Sequence, residues 1–217
     1  MNRAVLAAQG EKILFLRSGA VFTEENALTD LAGLLDVPGC GFAGTMNVFD
    51  GKISSAGYIL AECGPVAILP DTSEQVFTFS GMTNLTHGIS AVSSACLMIR
   101  ADVFAQAGGW SVSAPDEESA AVDLCIRVRK TGAYGVMHPY ARVSIPPAGT
   151  PQISPEGKNW LMKHHHKEME GGDPYFHPFL DPSRGDFVLR GQFVSENADV
   201  NGCAAALAKK ALLEAGV

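Results

Sequence analysis

The sequence lacks an excess of positive charge. Lysine and arginine total 16 residues against 23 aspartates and glutamates, which gives a net charge of −7 and an isoelectric point near 5.3. Binding to a nucleic-acid backbone requires a basic surface that displaces counterions. We therefore expect no nucleic-acid partner.

Long apolar runs and paired cysteines are also missing. No stretch approaches the roughly 18 apolar residues of a membrane-spanning helix, so we expect no membrane span.

The five cysteines form no CxxC pair, and four have apolar neighbours, which is typical of buried thiols in a reducing compartment. The sequence therefore predicts a cytoplasmic protein. The cysteines are Cys40, Cys63, Cys96, Cys125 and Cys203.

Apolar residues are plentiful and follow an alternating order of strand and helix patterns. The chain has 217 residues, 47% of them hydrophobic, which is enough to build a core without disulfides or a structural metal. The run KILFL at residues 12–16 is continuous and apolar, which predicts a parallel strand covered on both faces. The whole order favours an α/β sandwich with a mixed sheet. Further elements are predicted as helices at 2–9, 23–37, 117–130, 155–169 and 203–215, as strands at 41–48, 89–99 and 134–143, and as a surface loop at 70–88.

Six motifs in this order resemble those of the family 2 glycosyltransferases, and in particular the rhamnosyltransferase-like members. The resemblance covers residues 2–190 and implies a GT-A-like α/β/α sandwich. The predicted division is a domain at 1–190 and a linker with a helical extension at 191–217. The motifs are residues 2–16, PGCGFAG at 38–44 (family PGVGAVG), FDGKI with AG at 49–57 (PDGRIQHAG), SSACLMIR at 93–100 with GGW at 108–110 (TGACLLVRR and GGF), VDLCIR at 122–127 (DVDLCLRL) and DPYFHP at 173–178 (DPYYNPNL).

The resemblance implies a nucleotide-sugar donor, a Mn²⁺ or Mg²⁺ ion held by an Asp-x-Asp motif, and a carboxylate base. The acidic motif should follow Leu16, but the chain has Arg17-Ser18-Gly19 there. We therefore expect no bound metal. Arg17 and Ser18 are candidates for the donor-phosphate side, since a guanidinium can oppose phosphate charge. A solvated arginine at a strand end is the alternative.

The other two chemical positions of the family are also altered. Ala120-Ala121 stands where the base is expected, and residues 144–147 (SIPP) replace a histidine-containing segment. Asp116 and Glu118, just upstream, are candidate substitutes for the base. The alternative is that they complement the dipole at a helix N-terminus.

An acceptor or sugar pocket is predicted around Ser93, Ser94 and Trp110. The serines match the family's TGA segment, and the indole could stack on a sugar; tight sheet packing and an ordinary core are the alternatives. Asp123 is expected to pair with Arg127 at helical spacing. The three consecutive histidines at 164–166 point in different directions on a helix, so we expect a solvated face rather than a metal site.

The family begins with two βα units of roughly 30 residues each, whereas only twelve residues precede Ile13. The resemblance therefore predicts an N-terminally truncated fold in which strand 13–16 lies at a sheet edge. Such an edge needs a cover. We expect a second copy in a homo-oligomer, another part of a parent protein, or the chain's own termini.

Two functions remain open at this stage. One is a catalytically silent glycosyltransferase-like domain that binds a glycan or a protein. The other is the acceptor-side part of an active nucleotide-sugar-dependent glycosyltransferase, completed by a partner or by further sequence.

Overall fold

A computed structural model describes residues 1–75 and 83–190. The predicted helix at 203–215, its linker and part of the predicted loop at 70–88 lie outside the described residues. Within them, no helix is long and apolar enough to cross a membrane.

The centre of the fold is a mixed sheet. Its strands lie in the order β1-β8-β3-β9-β2, with β4 paired to β3 and β7 paired to β9, while β5 and β6 form a separate hairpin. Strands β3 and β9 are parallel, and the other pairs are antiparallel. The bounds are β1 Lys12–Leu16, β2 Val21–Phe22, β3 Cys40–Phe49, β4 Lys52–Ser55, β5 Tyr58–Ala61, β6 Gly64–Ala67, β7 His87–Ile89, β8 Cys96–Arg100 and β9 Tyr134–Ser144.

Helices cover both faces of this sheet. On one face α2 packs with Ala43 and Cys96, and on the other α4 packs with Phe42 and Met46. Because adjacent strand residues point to opposite faces, β3 supplies both cores. The predicted α/β fold with a mixed sheet is therefore confirmed. The helices are α1 Asn2–Ala7, α2 Ala27–Leu34, α3 Ala101–Gln106, α4 Glu117–Lys130, α5 Pro155–His164 and α6 His166–Glu170, with a 3₁₀ turn at Pro147–Gly149.

The predicted parallel pairing of β1 is wrong. β1 runs antiparallel to β8, its neighbour in the sheet. Ile13 and Phe15 are buried on one face of β1, whereas Leu14 on the other face is only half-buried, so the expected cover of both faces is incomplete. An apolar run carries no information on strand direction. Among the described residues no strand pairs with the outer edge of β1, so its expected cover stays a prediction.

Two predicted elements are divided in the structure. The strand expected at 89–99 stops at Ile89, and β8 begins only at Cys96. Between them residues 90–95 cross the end of the sheet. The helix expected at 155–169 is broken at His165, whose φ of −129° and ψ of 34° are not helical.

Close approach of β9 to β3 depends on a glycine. A Cβ built on Gly135 would lie 2.0 Å from the ring of Phe42, which is fully buried. The two strands could not keep their spacing with any side chain at position 135, because real Cβ atoms do not approach carbon atoms so closely.

Replacing Gly135 with alanine should therefore reduce the free energy of unfolding by about 1–3 kcal/mol, a usual cost of overpacking a core. The matched control is Gly33→Ala in α2, where the added methyl group meets nothing within 4 Å. That change should stabilise the protein by about 0.5–1 kcal/mol because alanine favours helix. Urea denaturation measures the free energy of unfolding of both variants. Equal changes in the two variants would contradict the close packing of Gly135 against Phe42.

Candidate functional site

Three segments meet at the end of β1. The backbone N–H of Arg17 donates to the carbonyl of Ala95 at 3.0 Å, which joins β1 to the turn before β8. The Arg17 guanidinium forms an ion pair with Glu117 at 2.9 Å, so this turn lies beside the first turn of α4. The structure thus brings the predicted donor-side and base-side residues together.

Asp116 is the N-cap of α4. Its carboxylate accepts from the Ser119 backbone N–H at 2.6 Å, while the Asp116 backbone N–H donates to the Ser119 hydroxyl, which completes a capping box. It also accepts from the hydroxyl of Ser154 at 2.6 Å. Partial burial opposes ionisation, but the hydrogen bonds from Ser154 and Ser119 outweigh it and lower the pKa of Asp116. Through these bonds the Asp116 carboxylate joins α4 to α5. This is a structural role, and it differs from the role of substitute base that the sequence suggested.

Glu118 is fully buried and bonded on both oxygens. One oxygen accepts from the Tyr58 hydroxyl at 2.6 Å, and the other accepts from the Ser94 backbone N–H at 2.8 Å. Burial raises the pKa of Glu118, and the bonds from Ser94 and Tyr58 oppose that rise. Burial and the neighbouring Glu118 charge also raise the pKa of Tyr58, so its hydroxyl keeps its proton. A carboxylate enclosed in this way has no oxygen turned toward solvent.

The remaining predicted site residues divide into two groups. Ser93 and Ser94 are buried beside Glu118, and Ser18 lies exposed in the turn after β1. Trp110 is a core residue: 8% exposed, with its ring 4.9 Å from that of Phe15. The expectation that the indole lines an open sugar pocket is therefore corrected, because its apolar area is buried under β1.

These residues do not fit a divalent metal. Mn²⁺ and Mg²⁺ require several oxygen ligands, whereas the turn after β1 offers a cation and a hydroxyl. The nearest carboxylate, that of Glu117, is paired with Arg17. Nowhere in residues 1–75 and 83–190 do three His, Cys, Asp or Glu side chains come together closely enough to hold a metal.

A second polar group, of which only the Asp123–Arg127 pair was predicted, holds α5 and α6 against α4. His165 is 4% exposed, and its Nε2 lies 2.7 Å from Asp123. The expected pair of Asp123 with Arg127 is confirmed at 2.6 Å. The prediction of a solvated histidine face holds for His164 and His166 but is wrong for His165.

A signal for His165 was present in the sequence. Leu161, His165 and Met169 recur every four residues, and all three are buried. This spacing places the histidine on the apolar stripe of the helices. No comparable signal marked Tyr58, whose contact with Glu118 joins residues 60 positions apart.

Comparisons with known proteins give remote relatives. No family model matches the chain. An uncharacterized protein y4gI of Sinorhizobium fredii is 27% identical over 87% of this chain and 22% of its own length. The O-antigen biosynthesis protein RfbC of Myxococcus xanthus is also 27% identical, over 98% of this chain and 18% of its own length. The chain thus spans about a fifth of these curated relatives.

One solved structure aligns with nearly the whole chain. It is the mannosyltransferase PcManGT of Pyrobaculum calidifontis in complex with GDP-Man and Mn²⁺. The alignment has 14% identity and a TM-score of 0.47, and it covers 99% of this chain and 57% of that one.

The capping role of Asp116 predicts a loss of stability when the carboxylate is removed. Asp116→Ala should reduce the free energy of unfolding by about 1–2 kcal/mol, as N-cap removal does. Glu117→Ala, the neighbouring control, breaks an exposed ion pair and should cost about 1 kcal/mol or less. Chemical denaturation measures both. A larger loss for Glu117 would show that the cap is not the dominant contact.

The raised pKa of Glu118 predicts a pH dependence. The folded carboxyl holds its proton more tightly than the unfolded one, whose pKa is near 4.5. Stability contributed by this group therefore falls as the pH rises above 4.5 toward the raised value. Glu118→Gln removes this titration, so the stability of the variant relative to the unsubstituted protein should increase with pH over that window. Thermal denaturation at a series of pH values tests it, and a constant difference would contradict the burial of a charge.

Proposed function

We propose that this chain is a glycosyltransferase-like domain that binds a glycan without transferring a sugar. The observation that carries the proposal is the ion pair of Arg17 with Glu117. It lies where the resemblance leads us to expect a metal-binding carboxylate motif. A guanidinium at that place repels a divalent cation and forms an ion pair with the adjacent carboxylate, that of Glu117.

The other altered positions support the same conclusion. Ala120 and Ala121, at the expected place of the base, are 2% and 0% exposed and belong to the core. Ile145, in the segment that lacks the expected histidine, is also buried. The side chains of alanine and isoleucine carry no group that could take a proton from an acceptor hydroxyl. The chemistry of transfer therefore has no evident acid or base at these places.

A relative supports the glycan part of the proposal. One 27% identical protein is called an O-antigen biosynthesis protein, which is consistent with a carbohydrate ligand for this region. The proposal does not extend to the activity of the longer relative. We further propose that residues 1–190 act as one domain and that 191–217 link it to a partner.

A second function is favoured by Glu118. A buried carboxylate with a raised pKa at the start of α4 is the kind of group that can act as a general base. If another polypeptide segment or a second copy covers the free edge of β1, it could supply the nucleotide side of the site. The chain would then be the acceptor side of an active transferase.

Calorimetric titration of the full chain with UDP- and dTDP-sugars, with and without Mn²⁺, distinguishes the two functions. A silent domain should show no metal-dependent binding of either donor. The matched variant is Arg17→Asp, which replaces the cation with a carboxylate and should gain affinity for Mn²⁺ if the guanidinium is what excludes the ion. Metal-dependent binding at micromolar concentration by the unsubstituted chain would overturn the silent function and favour the second.

A further inference from the structure

We propose that a cleft between the β3–β4 hairpin and the start of α5 binds a neutral carbohydrate through Phe49, Asp71, Gln152 and Lys158; this rests on the proposed glycan-binding function. The cleft has a volume of about 700 Å³. Small-molecule pockets in proteins typically measure about 300–1,000 Å³. The space is therefore large enough for a short oligosaccharide.

The walls of the cleft are partly apolar. Phe49, at the end of β3, is 38% exposed and offers its ring to a ligand, whereas Tyr58 lines the cleft but is only 5% exposed. An exposed ring can stack on the C–H face of a sugar, and proline side chains lose little conformational entropy when a ligand binds. The prolines that line the cleft are Pro65, Pro70, Pro147 and Pro151.

Five charged or amide side chains of the cleft are free to contact a ligand. Within the described part of the chain, the side chains of five lining residues make no hydrogen bond or ion pair, whereas Arg17, Asp116, Glu117 and Glu118 at the end of β1 are all paired. Unpaired donors and acceptors that converge on one concavity suit a ligand rich in hydroxyl groups. The five residues are Asp50, Lys52, Asp71, Gln152 and Lys158.

The charge of the cleft favours a neutral ligand. Two lysines and two aspartates line it, so the formal charges cancel. A nucleotide diphosphate needs a net positive site or a metal to oppose its charge. A sugar can instead accept from the lysines and donate to the carboxylates at the same time.

One hydrogen bond connects the cleft to the first turn of α4. Tyr58 lines the cleft, and its hydroxyl donates to Glu118 at 2.6 Å. The backbone N–H of Ser94 donates to the other oxygen of the same carboxylate. Glu118 therefore positions Tyr58 as part of the wall, and it does so without touching the ligand itself.

The test is a titration of the full ¹⁵N-labelled chain, followed by amide chemical shifts. The probes are mannotriose, maltotriose and methyl rhamnoside, with UDP as the charged comparison. We expect saturable shifts for at least one sugar at Lys52, Asp71 and Gln152, and none at those amides for UDP. Shifts confined to the residues around Arg17 and Ser94 would overturn the cleft and leave the glycan-binding function standing.

Variants make the assignment quantitative. The double variant Gln152→Ala, Lys158→Ala should weaken sugar binding by about tenfold, since two hydrogen bonds are lost. The control is Lys163→Ala, an exposed lysine farther along α5 that does not line the cleft. Equal affinities of the double variant and the control would refute the site. Absence of binding by every sugar would refute the proposed function and the cleft together.

Discussion

The fold depends on how the first turn of α4 is anchored. Removing a carboxylate from water costs several kcal/mol unless donors replace the lost solvent. Glu118 meets this requirement with the Tyr58 hydroxyl and the Ser94 backbone N–H, and these bonds fix α4 against β5 and the turn before β8. Asp116, on the same turn, fixes α5 through Ser154. Four parts of the chain thus converge on two carboxylates.

This anchoring limits what the acidic residues can do chemically. A carboxylate that is fully buried and holds two fixed donors, as Glu118 does, offers no lone pair to an ion or to a substrate proton from solvent. Glu117 is held differently, by an exposed ion pair with the guanidinium of Arg17. The first turn of α4 lies where the resemblance places transfer chemistry, but its charges are used to hold elements together. The free polar groups lie elsewhere, in the cleft beside Tyr58.

Local signals in the sequence predicted much of the fold. The helix predicted at 117–130 has those bounds in the structure, because apolar spacing and a closing glycine act within a few turns. The α/β order with a mixed sheet followed from the alternation of patterns. The direction of β1 could not be predicted, since pairing with β8 depends on contacts between residues at least 80 positions apart, such as Leu16 and Cys96.

The site was only partly predictable for the same reason. The sequence showed which carboxylates were missing and which were present, but it could not show that Asp116 caps a helix held by Ser154 or that Glu118 is enclosed. The sequence left Trp110 as a candidate for stacking on a sugar, but in the structure Phe15 packs against its ring. Residue types indicate which chemistry is available, and long-range packing decides whether the groups are free to perform it.

The central claim is that charged groups at the end of β1 and the start of α4 serve the fold and leave no place for a metal-bound donor. Anomalous diffraction at the manganese edge, from crystals of the full chain grown with Mn²⁺ and a UDP-sugar, tests this most directly. The account predicts no manganese peak near Ser18 and an intact ion pair between Arg17 and Glu117. A manganese peak coordinated by Glu117 or Glu118, with a diphosphate beside Ser18, would contradict it.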